Sequence, residues 1–195
     1  FDLINFLNAQ NLPADLLKRA EQMQNVLCAR ADEVPYPTQA SAFGPTDFCE
    51  RTAQKALTLL GMPLHLQAGD TLHYLSIGND EDISAESFFT ALRAQGIQVQ
   101  PFSGTADKLA VLCWRRYQAF KGKIGLDEKE SALVKKALSQ AHKSIVISFA
   151  NPWAASQLNC NGKLFTFSPA PAFQQAAAWA LTGRLTPHGQ LPITL

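Results

Sequence analysis

LAVLCW at residues 109–114 and SIVISF at residues 144–149 decide the fold. Each is a nearly continuous apolar run, the pattern of a strand whose two faces are both covered. The stretch between them, residues 127–141 (DEKESALVKKALSQA), reads as a helix. Strand, helix and strand in that order predict a βαβ unit, and hence a parallel pair.

Working outward, the same alternation continues on both sides. Residues 71–78 (TLHYLSIG) read as a strand with a Gly78-Asn79-Asp80 exit turn. Residues 84–95 read as a helix closed by Gly96, and residues 97–102 (IQVQPF) as a strand with apolar positions at period two. Downstream, residues 163–167 are expected to be a strand, residues 171–181 a helix ending at Gly183, and residues 191–195 a short edge strand that tolerates Pro192. Residues 46–60 are expected to form one helix, capped by Thr46 or Asp47. Its apolar stripe is Cys49, Ala53, Ala56, Leu57 and Leu60, and Gly61 ends it. The fold class is therefore α/β: a doubly wound, mostly parallel sheet with helices on both faces, a three-layer sandwich. Before it, Leu16, Leu17, Ala20, Met23, Val26 and Leu27 recur at helical spacing behind Pro13, and residues 32–44 are rich in turn formers. The expected division is a connector helix and linker over residues 1–44, then the sandwich over residues 45–195.

Bulk properties narrow the function classes. The 195 residues are 47% hydrophobic and 17% charged, with a net charge of +1. That charge leaves no basic footprint for nucleic acid. No apolar run approaches the ~20 residues that cross a bilayer, so no membrane span is expected, and the compartment stays open. Cys28, Cys49, Cys113 and Cys160 lack metal-ligand spacing and are read as inert thiols. No metal or cofactor is expected.

In an open α/β sheet, ligands bind beyond the carboxyl ends of the strands. Three turns are expected there. The first, GNDED at 78–82, lacks a dinucleotide fingerprint, and its carboxylates suit a helix N-terminus. The second, RRYQAFKGKIG at 115–125, places Arg115, Arg116, Tyr117 and Lys121 at a strand end as candidate contacts to an anionic or sugar ligand, or to a neighbouring domain. The third holds Asn151, whose amide is suited to holding nearby backbone, and Trp153, a candidate sugar platform or buried anchor. There is no GxSxG elbow, no carboxylate pair stands out, and the four histidines are scattered. His73, within a strand, is read as a satisfied core histidine. No catalytic residue is assigned.

Three segments together resemble the C-terminal α/β-sandwich domain of family 3 glycoside hydrolases. SIVISFANPW (144–153) resembles that domain's ISFGNPY-like turn. PAPAFQQAAAWALTG (169–183) with HGQLPITL (188–195) resembles its closing helix and tail, and RTAQKALTLL (51–60) with the following MPL resembles its opening helix. Ala150, Trp153 and Gly61 depart from the usual pattern. The resemblance implies a retaining β-glycosidase of the β-N-acetylglucosaminidase (β-N-acetylhexosaminidase) branch, whose nucleophilic aspartate belongs to an upstream TIM-barrel domain. In the β-glucosidase branch the sandwich lends an acid/base glutamate from one strand-end loop. The corresponding residues 113–122 (CWRRYQAFKG) contain none, whereas the hexosaminidase branch takes its acid/base from the barrel. Retaining chemistry needs two flanking groups about 5 Å apart, so the chain alone is expected to be inactive. Its expected partners are the barrel and an amino sugar. The alternative is a stand-alone carbohydrate-binding or protein-interaction module of the same fold.

Overall fold

The computed structural model describes residues 45–78, 83–115, 125–156 and 158–191, with Lys18 and Gln22 as isolated positions before them. The helix expected over 13–30 is described only at those two residues, both helical, and the linker over 32–44 lies outside the described part.

The two apolar runs form the middle of the sheet. β4 (Ala106–Cys113) and β5 (Ala141–Ser148) pair in parallel, with Leu109 opposite Ser144 and Val111 opposite Val146. β2 (Thr71–Ile77) lies beyond β4, and β3 (Gln98–Pro101) beyond β2, both parallel. On the other side β6 (Gly162–Phe165) pairs parallel to β5, and β1 (Thr58–Gly61) closes that edge antiparallel to β6. The order is β1-β6-β5-β4-β2-β3.

Alternation along these strands divides the core in two. Ala110, Leu112, Ile145, Ile147 and Leu164 face α1 (Pro45–Ala56), α2 (Glu86–Arg93) and α5 (Pro171–Leu181). Leu109, Val111, Cys113, Val146 and Phe165 face α3 (Glu128–Ser139) and α4 (Pro152–Ser156). Helices on both faces make the three-layer α/β sandwich that the sequence predicts, and each fully buried Leu, Ile or Phe stabilises it by about 1.5–3 kcal/mol. The alanines of α5 (Ala176, Ala177 and Ala178) are buried, so α1 and α2 both pack close against it.

Several expectations are corrected. The helix read over 46–60 stops at Ala56, and Thr58–Gly61 is instead the edge strand β1. Leu57 and Leu60 fit a helical stripe on paper, but pairing with β6 buries Thr58 and satisfies the backbone. Cys49, placed on that stripe, is exposed. Gly61 does not end a helix; it sits at φ +78, and a Cβ there would strike the Asn161 carbonyl. The step from β3 to β4 uses no helix: residues 102–105 carry the chain across β2 in one short crossover, with Phe102 N–H bonded to the Tyr74 carbonyl. A short helix, α4, follows Asn151 where a turn was read. The Nδ1 of His73 is buried without a hydrogen-bond partner among the described residues, so that histidine is not satisfied. The edge strand expected over 191–195 lies outside the described residues beyond Leu191.

Candidate functional site

The chain leaves β2 toward α2 on one face and leaves β4 toward α3 on the other. That reversal, between neighbouring parallel strands, is the topological switch point at which open α/β sheets place their ligands. Gly78 and Arg115, the described residues that open the two loops expected to matter, stand on its two sides. Gly78 (φ +65) lies so close to Arg115 that a Cβ would sit 3.1 Å from the Arg115 nitrogen. Glycine there lets the two strand ends meet.

Arg115 is held inside the domain. One of its terminal nitrogens lies 2.5 Å from both carboxylate oxygens of Glu130. Glu130 also accepts from the Asp127 N–H and donates its own N–H to the Asp127 side chain, completing a capping box at the start of α3. The Arg115 Nε is buried and has no hydrogen-bond partner among the described residues. Trp114, just before it, stacks on Phe149 with centroids 4.1 Å apart and donates to the Ser76 hydroxyl. The ends of β2, β4 and β5 are thereby tied into one surface.

Asn151 belongs to this surface. Its N–H donates to the Arg115 carbonyl at 3.3 Å, and its side-chain oxygen accepts from the Trp153 N–H at 3.0 Å. The Ser148 hydroxyl donates to the Asn151 carbonyl. The amide thus holds nearby backbone, as the Asn-Pro pattern suggests. Trp153 is 42% exposed, so it is not a core anchor. Arg115, Asn151 and Trp153 are therefore brought to the same sheet end, while Arg116, Tyr117 and Lys121 lie outside the described residues.

Sequence reasoning missed Gln174. Almost fully buried, it accepts from the Phe88 N–H and donates to the carbonyls of Ser84 (2.9 Å) and Pro169 (2.8 Å). It knits the first turns of α2 and α5 beneath a hollow of about 500 Å³ lined by Ile83, Ser84, Ser168 and Pro169. The available signal was a glutamine at i with Ala177, Ala178 and Leu181 at i+3, i+4 and i+7: a polar group on the core stripe. A roomier hollow, about 750 Å³, lies on the outer side of the helix layer between α2 and α5, with Ala91, Pro171 and Trp179 among its walls.

The described acidic groups near the strand ends are engaged in internal contacts. Glu130 is committed to Arg115 and the α3 cap, and Glu86 to Thr90 and Arg93. Burial pushes the Cys113 thiol up to about 11, so at neutral pH it is no nucleophile. Among the described residues no group of three or more His, Cys, Asp or Glu is arranged to hold a metal ion.

The fold and site define a doubly wound α/β sandwich whose strand ends are tied by internal polar contacts. That architecture recurs in enzymes of glycoside hydrolase family 3. A family 3 β-N-acetylglucosaminidase from Paenibacillus sp. str. FPU-7 aligns at a TM-score of 0.63 and 17% identity, over 95% of this chain and 40% of that one. A fungal multi-domain family 3 β-N-acetylglucosaminidase aligns at 0.57 and 14%, over 99% of this chain and 25% of that one. A β-glucosidase from Listeria innocua aligns at 0.51 and 16%, over 96% and 33%. The chain thus spans well under half the length of each of these structures. No family profile matches the sequence, and no curated protein matches it.

Proposed function

We propose that this chain is the non-catalytic α/β-sandwich domain of a family 3-type glycoside hydrolase. It packs against and supports an upstream TIM-barrel domain, in a β-N-acetylhexosaminidase-like enzyme that cleaves N-acetylglucosaminides. The observation that carries this reading is the alignment of nearly the whole chain with a minor part of longer glycosidases. The arginine-bearing strand end supports the hexosaminidase branch. Arg115 stands near the place where a sandwich that took part in catalysis would present a carboxylate, and its partner Glu130 is spent on a helix cap. Because both β-N-acetylglucosaminidases and a β-glucosidase share the fold, the choice of sugar rests on that loop rather than on the sheet. Arg115, Arg116, Tyr117, Lys121, Asn151 and Trp153 are the residues proposed to face the barrel or its sugar.

The test is hydrolysis of an aryl β-N-acetylglucosaminide by the purified 195-residue chain. None is expected from the chain alone. Measurable turnover abolished by a point change within it would overturn the proposal. The coding sequence upstream of Phe1 is a second check: it should encode a barrel with a nucleophilic aspartate.

The exposure of Trp153 favours one rival, a carbohydrate-binding or interaction module with the same fold. Titration with N-acetylglucosamine, followed by tryptophan fluorescence, separates them. Saturable binding that disappears in Trp153→Ala assigns the module.

A further inference from the structure

A smaller hollow, of about 140 Å³, lies beside the C-terminal end of α5, on the side of β5 and β6. Ile145, Leu164, Ala180 and Leu181 form its base, and all four are buried. His65 and Thr186, both exposed, stand at its mouth. Among the described residues, neither of those two side chains bonds another group of the protein. None of the six belongs to the strand-end surface of Arg115, Asn151 and Trp153.

Both walls of the hollow are pinned by backbone. One is the segment 62–66, in which the Met62 N–H donates to the Asn161 carbonyl and the Leu66 N–H to the Leu181 carbonyl, each at 2.8 Å. Pro63 stiffens that segment from within. The other is the turn after α5, where the Arg184 and Leu185 N–H groups donate to the Trp179 carbonyl at 2.9 and 3.2 Å. Gly183, between helix and turn, borders open space: a Cβ there would meet nothing within 4 Å. Closing the hollow would break these bonds, so it stays open in an interior that otherwise leaves few voids.

We propose that this hollow binds a single six-membered aromatic ring, seated among Ile145, Leu164 and Leu181, with any polar substituent at the mouth between His65 and Thr186. Its base offers only apolar side chains, and an apolar cavity of this size stays dry; one of about 150 Å³ admits benzene. Two fused rings would need more room than the walls leave at interior packing density. A rigid ring also gives up less conformational freedom on binding than an aliphatic chain of the same length. Apolar depth with a few polar groups at the rim is the ordinary make-up of a pre-formed small-molecule site. The site is separate from the proposed support of a barrel, and either reading can fail without the other.

Phenol is the probe. Titrated into the 195-residue chain labelled at its Ile and Leu methyls, it is expected to shift Ile145, Leu164 and Leu181 together and saturably. Leu109, on the other face of the sheet, should not move. Ala180→Leu puts a larger side chain into the base and should weaken binding about tenfold or more in a chain that remains folded. Leu185→Phe fills the hollow from the opposite wall and gives the same reading should Ala180→Leu fail to fold. 2-Naphthol, with its second fused ring, should leave the three methyls where they are. Methyls that ignore phenol up to its solubility, undiminished binding in a folded filled variant, or equal shifts with 2-naphthol would each overturn the proposal.

Discussion

Gln174 shows how one side chain decides the shape of the strand-end surface. Its amide satisfies the buried Phe88 N–H and, in part-buried bonds, two loop carbonyls. A residue of similar size without hydrogen-bonding groups would leave them unmatched, at about 1–3 kcal/mol for each group that cannot reach water. Gln174→Leu is therefore expected to destabilise the chain by about 2–4 kcal/mol in urea unfolding. Gln175→Leu, at the half-exposed neighbouring position, should change little. Equal effects at the two positions would mean that the buried bonds contribute nothing. The case also marks the limit of reading residues from sequence. FQQAAAWAL announces a helix with a small-residue face, but not which glutamine turns inward, because that depends on where α2 lies. The Asn151 side chain was legible by contrast, since its amide oxygen bonds the N–H of Trp153, two residues on.

At the scale of elements, legibility follows the range of the interaction that ends each element. α3 is bounded by its own residues, Asp127 and Glu130, and both ends fall close to where periodicity puts them. α1 is not. Its stripe continues through Leu57 and Leu60, and only the presence of β6, a hundred residues later in the chain, turns Thr58–Gly61 into a strand. The crossover from β3 to β4 was hidden for the same reason: nothing local says that residues 102–105 pass over β2. The α3 cap reaches beyond the helix, because Glu130 also holds Arg115. Asp127→Ala should cost about 1 kcal/mol, the ordinary loss of an N-cap. Glu130→Ala should cost more, since it also leaves Arg115 without its carboxylate. In a double-mutant cycle, Arg115→Ala and Glu130→Ala should be non-additive, as partners in one network are. Strict additivity would mean that the 2.5 Å pair contributes nothing measurable.

Across the whole molecule the two ends of the sheet differ in character. Among the described residues, the carboxyl end is tied by neutral amides, stacked rings and one ion pair. The amino end carries a row of charge: Lys108 lies opposite Lys143 on neighbouring strands, and Asp70, at the start of β2, bonds Lys108. Like charges opposite each other destabilise a sheet, so Asp70 is what makes this row tolerable. The bond from Lys108, followed by one from the Gln67 N–H, holds the Asp70 carboxyl below its ordinary value of 3.8. The sign follows from that depression. The charged form is favoured by the fold, so its contribution is fully present above the unfolded value and disappears as pH falls through the folded one. Asp70→Asn should therefore be less stable than the parent at pH 7, and the two should converge toward pH 2. Added salt should narrow the gap at pH 7 by screening the lysines. Urea unfolding across that pH range checks all three; two curves separated by a constant offset at every pH would show that Asp70 acts through packing and not through its charge.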